Sequence, residues 1–325
     1  MILRGIDFGS IIGASGMQGM FGEGYPFHSF YRAIFGKRFS FDGVTFTAKT
    51  VTLNRNEGNM PLKEDGITPV DLFPECIHVS LRSWLHGAAL NAVGLSNFGA
   101  EFYFDTGRWQ DRRDSFFLSF MAIGTTPEER LEEWVSFLKL FMKRFKEFRR
   151  CQVGIQVNRS CPNVGLDHGK PAGEEKDFLD AADKILSPAV PIGLKFNVLA
   201  DPMAVAAIAK HDRCDAIFVS NTLPWGSLPD RIDWEGIFGS KESPLKKFKG
   251  GGGMSGKPLL PLVIGWLDRA RGYVRKPIVA GGGVLGPDDM RLLSYCHPDA
   301  ASVGSVAILR PWRLASTICE GQRLF

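Results

Sequence analysis

No Cys-x-x-Cys pair occurs among the six cysteines, Cys76, Cys151, Cys161, Cys214, Cys296 and Cys319. Without that spacing, an iron–sulfur cluster or zinc site held by this chain alone is not expected, so no metal is assigned. No apolar run reaches the length of about 20 residues that a spanning helix needs, which argues against a membrane protein. No signal-peptide pattern opens the chain, and the cysteines therefore read as reduced thiols of a cytoplasmic protein. Charge of one sign is also scarce. A net charge of +4, scattered along the sequence, does not suggest nucleic acid as a partner and suits an anionic small molecule at least as well. Low-complexity segments and composition breaks are missing, so residues 1–325 are expected to form a single domain.

What is present is a recurring pattern. Apolar runs characteristic of buried strands occur near residues 11, 47, 119, 155, 194, 218, 279 and 302, and most alternate with helical stretches. The clearest helix begins at Thr126-Pro127-Glu128-Glu129, a capping box with proline in the first turn, and carries an apolar face from Leu131 to Phe148. The basic cluster Lys143 to Arg150 at its end matches the helix dipole and is given no function. Two long segments, 54–107 and 223–256, read as irregular loops, and loops of that length in a compact domain are usually functional. Eight strand–helix units fit a single α/β (β/α)8 TIM barrel, with long active-site loops at the C-terminal ends of the strands. An open dinucleotide-binding sheet is the rival, but Gly13-Ala14-Ser15-Gly16 lacks the G-x-G-x-x-G spacing.

In such a barrel the C-terminal strand ends surround the active site. Here they carry Ser15, Lys49, Ser119, Asn158, Lys195, Asn221, Gly282-Gly283 and Gly304-Ser305. Two partly desolvated lysines call for anionic partners, and glycine pairs after the last strands are suited to holding a phosphate through backbone amides. Together they suggest a phosphorylated cofactor over the barrel mouth. Each feature alone has an ordinary structural explanation. A phosphate-binding barrel lyase or isomerase, with Lys49 or Lys195 as a Schiff-base amine, uses similar parts.

Asn158-Arg159-Ser160-Cys161-Pro162-Asn163 resembles the Asn-Leu-Ser-Cys-Pro-Asn signature of class 1 dihydroorotate dehydrogenases. The resemblance runs almost end to end. Ala14-Ser15-Gly16, Thr47-Ala48-Lys49-Thr50, Glu57-Gly58-Asn59 and Asn91-Ala92-Val93-Gly94-Leu95 occur in the family's order. So do Gly193-Leu194-Lys195, Ser220-Asn221-Thr222, Gly252-Gly253-Met254-Ser255-Gly256-Lys257-Pro258 and Gly282-Gly283. The resemblance implies an FMN flavoprotein that oxidises dihydroorotate to orotate in pyrimidine biosynthesis. Cys161 is then the base that takes the C5 proton, with Lys49 and Asn158 also at the catalytic centre. Lys49, Asn91, Val93, Gly94, Leu95, Asn158, Asn163, Asn221 and Thr222 are implied around the substrate. Ala14, Ser15, Gly16, Lys49, Thr50, Ser119, Asn158, Lys195, Ser220, Gly252, Gly253, Gly282, Gly283, Gly304 and Ser305 are implied around FMN. A homodimer is implied, and the flavin is reoxidised either by fumarate or by NAD through an iron–sulfur/flavin electron-transfer subunit as partner; both stay open.

Three features depart from the family pattern. Arg159 stands where the signature has an apolar residue, and alternation should point it away from Asn158. The segment 164–173, which carries His168 and is expected to act as a lid, is not a close match. Leu223-Pro224-Trp225-Gly226 directly follows the Asn221-Thr222 pair, and its Trp225 either packs the long loop or reshapes the pocket. Another dihydropyrimidine, such as a dihydrouracil, is therefore the alternative substrate, and a catalytically dead flavin-binding module is a third reading.

Overall fold

The computed structural model describes residues 1–159 and 173–325. Cys161, Asn163, His168 and most of the segment expected to act as a lid lie outside the described residues. Seven parallel strands form one sheet in the order Ile11–Gly13, Ala300–Val303, Ile278–Gly281, Ala216–Val219, Ile192–Phe196, Val153–Asn158 and Phe116–Phe120. The strand expected near residue 47 is not a regular ladder strand. It divides its hydrogen bonds between both sheet edges, so only isolated parallel bridges form, Thr45 beside Ile12, Thr47 beside Phe117 and Val51 beside Phe120. Gly13 N donates to Thr45 O at 2.8 Å, and Ala48 N donates to Phe117 O at 2.9 Å. The segment thus joins the two edges and closes the barrel.

Two-residue periodicity separates the inside of the barrel from its outside. Ile155 and Val157, Leu194 and Phe196, and Ile217 and Val219 belong to the large core shared with the helices. The alternate residues turn inward. Phe117, Phe218, Ile12, Val279 and Ala300 pack with Leu3, Ile6 and Phe8 in a separate apolar cluster. Phe8 and Phe117 stack at 4.2 Å, and Phe218 meets Phe117 edge-on at 5.3 Å. Glycines make room for these rings: a Cβ at Gly154 would lie 2.7 Å from the Phe117 ring, and one at Gly193 would lie 2.2 Å from the Phe218 ring. The short antiparallel pair Ile2–Leu3 and Ile6–Asp7 supplies the residues that plug this end. Arg4 pins it in place, with Nε 2.8 Å from Asp215 Oδ1 and further bonds to Pro188 O and Asp212 O.

Further along the same strands the inward positions become polar: Ser119, Gln156 and Asn158, and Lys195. Outside, the Pro127–Arg144 helix starts at the expected capping box, with Thr126 Oγ1 accepting from Glu129 N at 3.2 Å. Trp134, Phe137, Leu138 and Phe141 form its buried face. The two long loops are more ordered than expected. They contain the helices Leu81–Leu85, Ala100–Asp105 and Trp234–Phe238, and their short strands meet in a second sheet. In it Leu223–Pro224, Gly253–Gly256, Ala88–Asn91 and Ile77–His78 run antiparallel in that order. Local periodicity cannot reveal strands of two to four residues, least of all the pairing of Ala88–Asn91 with Gly253–Gly256 across more than 160 positions.

Candidate active site

Where the inward positions turn polar, the barrel opens into a cavity of about 320 Å³. That volume is within the range of small-molecule sites. Its wall brings together Ala14, Ser15, Gly16, Lys49, Thr50, Asn158, Lys195, Ser220, Asn221, Thr222, Gly282, Gly283, Gly304 and Ser305 from the barrel's strand ends, and Asn91, Val93, Gly94 and Leu95 from the first long loop. Ser119, Gly252 and Gly253 do not line it. Ser119 lies beneath the floor, in a chain of hydroxyls: Ser15 Oγ is 2.9 Å from Thr50 Oγ1, which is 2.8 Å from Ser119 Oγ, which in turn donates to Gln156 Oε1 at 3.2 Å. Gly253 pairs with Asn91 in the small sheet and accepts the Asn91 side-chain amide at 3.3 Å. Its place there is to orient Asn91.

Strand register sets the amides and one lysine. Asn158 and Lys195 are direct partners on neighbouring strands. Asn221 N donates to Phe196 O at 3.0 Å, which brings the Asn221 side chain beside that pair. Asn221 Nδ2 then donates to Asn158 Oδ1 at 3.0 Å, and Asn221 Oδ1 accepts from Thr222 N at 2.9 Å. Each carboxamide offers two N–H groups and two lone pairs, so such a pair can face a ring bearing both C=O and N–H groups.

Lys49 approaches from the closing segment, and its Nζ donates to Ser96 O at 2.6 Å. Burial lowers its pKa to about 8, while the neighbouring Cys76 and Glu23 pull it the other way. Burial also pushes the Cys76 thiol up to about 11. Opposite, Gly282 and Gly283 have φ of 127° and 87°, backbone that only glycine adopts easily. Among the described residues, the amides of Gly282, Gly283, Gly304 and Ser305 have no backbone acceptor. They are therefore free to meet an anion.

Several cavity residues were not anticipated from the sequence. Tyr25, Phe27, Met60, Leu72, Pro74, Ile77 and Ile308 form an apolar side of the cavity. Tyr25 is held by its hydroxyl, which donates to Gly16 O at 2.7 Å, and burial, with Glu23 nearby, raises its pKa. Met60, Leu72, Pro74 and Ile77 fall in the first long loop, where a proline-containing, apolar stretch was the sequence signal, whereas Tyr25, Phe27 and Ile308 come from the Pro26–Phe35 and Val306–Leu309 helices and the residue capping the first of them. Trp225 is not part of the cavity wall; it packs on Trp234 at 4.8 Å and on Phe238 at 5.4 Å. Arg159 points away from Asn158, as alternation requires, toward Glu174 and Glu175. Among the described residues, no group of three or more His, Cys, Asp or Glu side chains is placed to hold a metal, and no helix is long and apolar enough to cross a membrane.

The fold and cavity define a (β/α)8 barrel with a cavity at its C-terminal mouth, lined by amides, lysines and glycine-rich turns on one side and apolar side chains on the other. A family model described as dihydroorotate dehydrogenase matches residues 78–321, and the chain belongs to that family. It is 29% identical over 169 residues to the catalytic subunit of dihydroorotate dehydrogenase B (NAD(+)) from Listeria welshimeri, covering 51% of this chain and 52% of that protein. The chain thus spans about half the length of the Listeria relatives it matches. The corresponding subunit from Anoxybacillus flavithermus is 25% identical over 235 residues, covering 71% of this chain and 69% of that one. A ligand-free crystal structure of the enzyme from Eimeria tenella superposes with a TM-score of 0.64 at 18% identity, covering 99% of this chain and 85% of that one. That likeness supports the barrel.

Proposed function

We propose that this chain is an FMN-dependent oxidoreductase that oxidises dihydroorotate to orotate in pyrimidine biosynthesis. The observation that carries this reading is one cavity that unites a bonded Asn158–Asn221 amide pair, Lys49, Lys195 and four uncommitted backbone amides. The donor set fits FMN. The amides of Gly282, Gly283, Gly304 and Ser305 suit its phosphate, Ala14, Ser15, Gly16, Thr50 and Ser220 suit its sides, and Lys195 suits the ring, where a cation stabilises negative charge. Bound FMN supplies the acceptor for the hydride that leaves C6.

The remaining tasks fall to the chain. Asn91, Asn158, Asn163, Asn221 and Thr222, with the Val93-Gly94-Leu95 backbone, hold the pyrimidine ring and its carboxylate. Lys49, set between cofactor and substrate, is charged or neutral according to what lies against it. Cys161 is the base at C5; a thiol with an ordinary pKa of about 8.5 is thiolate in a minority of molecules at neutral pH. The names of the bacterial relatives support a partner subunit that carries electrons onward, and a homodimer and a cytoplasmic location complete the proposal.

The visible spectrum of the purified protein, followed by anaerobic addition of dihydroorotate, tests it. A flavin band that bleaches on addition is the expected result. A band that persists removes dihydroorotate as substrate, and a colourless protein that cannot be reconstituted with FMN removes the oxidoreductase reading.

A further inference from the structure

Arg159 occupies an apolar position of the signature, and its side chain is buried among ions. Arg159 Nη2 lies 2.9 Å from Glu174 Oε2, and its Nε lies 3.2 Å from Glu175 Oε1. Glu174 is also gripped by Arg130 in a two-pronged pair, at 2.9 Å and 2.5 Å. Arg130 in turn donates to Gly124 O and Thr125 O beside the start of the Pro127–Arg144 helix. All four side chains are more than nine-tenths buried. The Arg159 guanidinium also lies 4.7 Å over the Phe178 ring. Two positive and two negative charges thus join one strand end to two helices.

A buried ion quartet of this kind adds little stability over well-packed apolar side chains, because desolvation offsets most of the attraction. What it adds is direction, since a planar fork accepts carboxylates only in its own plane. The backbone at Arg159 transmits that direction. Arg159 N donates to Lys195 O at 3.1 Å, and the preceding residue, Asn158, is the register partner of Lys195 and the acceptor for Asn221.

We infer that Arg159, through Glu174, Glu175 and Arg130, is a positioning residue that fixes the end of the Val153–Asn158 strand and so aims the Asn158 carboxamide into the cavity. The inference rests on the proposed function, in which Asn158 holds the substrate ring. A misplacement of about 1 Å at such a group costs on the order of 100-fold in rate. Substitution of Arg159 therefore lowers kcat with dihydroorotate by about 10- to 100-fold.

The test compares FMN-loaded wild type with Arg159→Lys, which keeps the charge but loses the fork, and with the charge-balanced pair Arg159→Leu and Glu175→Gln. Three readouts are taken: kcat and KM, the denaturation midpoint, and the side-chain amide NMR signals of Asn158 and Asn221 in protein labelled with 15N at asparagine. Signals are assigned by their loss in Asn158→Ala and Asn221→Ala. Expected are a fall in kcat at near-wild-type midpoint and flavin content, and displaced Asn158 and Asn221 signals. Wild-type kcat and unmoved signals in either variant that folds overturn the inference. The NMR signals need no substrate. A wild type inactive on dihydroorotate, with displaced signals in the variants, would remove the proposed substrate and leave the positioning role standing.

Discussion

Lys49 makes the most demanding prediction, because its charge is set by burial. Its pKa falls from 10.5 to about 8 in the folded chain, with desolvation the leading cause. Between those values the unfolded chain binds more protons than the folded one, so stability rises with pH through that window. Below pH 8 the whole cost is present, and the fall from 10.5 to about 8 corresponds to about 3 kcal/mol. Lys49→Met removes that cost and loses the bond to Ser96 O, a loss of about 1 kcal/mol. Cofactor-free Lys49→Met is therefore expected to be more stable than wild type by about 2 kcal/mol at pH 7. The advantage should vanish as pH approaches 10. Urea denaturation of both proteins at pH 7 and pH 10 reads it directly. Equal differences at the two pH values, or a variant less stable than wild type at pH 7, would refute the reasoning. In FMN-loaded protein the slope should flatten, because an anionic ligand beside the amine raises its pKa again.

Three further outcomes follow from the same geometry. Gly193→Ala places a methyl group 2.2 Å from a Phe218 ring carbon in the closed end of the barrel, and should lower unfolding free energy by about 1–3 kcal/mol, measured by chemical denaturation. Asn221→Ala removes the hydrogen bond to Asn158 and one of the proposed ring contacts. It should cut kcat/KM for dihydroorotate at least about 10-fold while flavin content, read from the visible spectrum, stays unchanged. The rate of anaerobic flavin bleaching by dihydroorotate should climb with pH through about 8.5 as Cys161 ionises, and Cys161→Ala should abolish the climb; a flat wild-type profile removes Cys161 as the base.

Sequence reasoning reached the barrel because its strands announce themselves. Val153, Ile155 and Val157 alternate with Gly154, Gln156 and Asn158, and that alternation separates the helix-facing side from the interior. The same parity explains why strand ends were a sound guide to the cavity, since an inward residue at the mouth has nowhere else to point. What stayed hidden depended on long-range pairing. The segment around Thr47 has the composition of a strand, yet its hydrogen bonds go to two different edges. Asn91 and Gly253 are 162 positions apart, and only their pairing shows that Gly253 orients an amide without lining the cavity. The part of the apolar side formed by Met60, Leu72 and Ile77 had no period to betray it. Arg159 was conspicuous as a departure, but its partners Glu174 and Glu175 looked like ordinary acidic residues opening a helix.

The two ends of the barrel interior therefore carry opposite obligations on the same strands. At the closed end, Phe117 and Phe218 fill the space that Gly154 and Gly193 leave, and nothing there needs a ligand. Two to four residues later the same inward positions hold Ser119, Gln156, Asn158 and Lys195, groups that are costly to bury unless each finds a partner. Some partners are internal: the hydroxyl chain below Ser15 and the Asn158–Asn221 pair. The backbone amides of Gly282, Gly283, Gly304 and Ser305, by contrast, have no backbone acceptor among the described residues. A fold that closes one end so tightly while keeping donors uncommitted at the other holds part of its hydrogen-bonding capacity in reserve for a bound anion. That asymmetry, more than any single residue, supports the proposal that the cavity is a ligand site and not a packing defect.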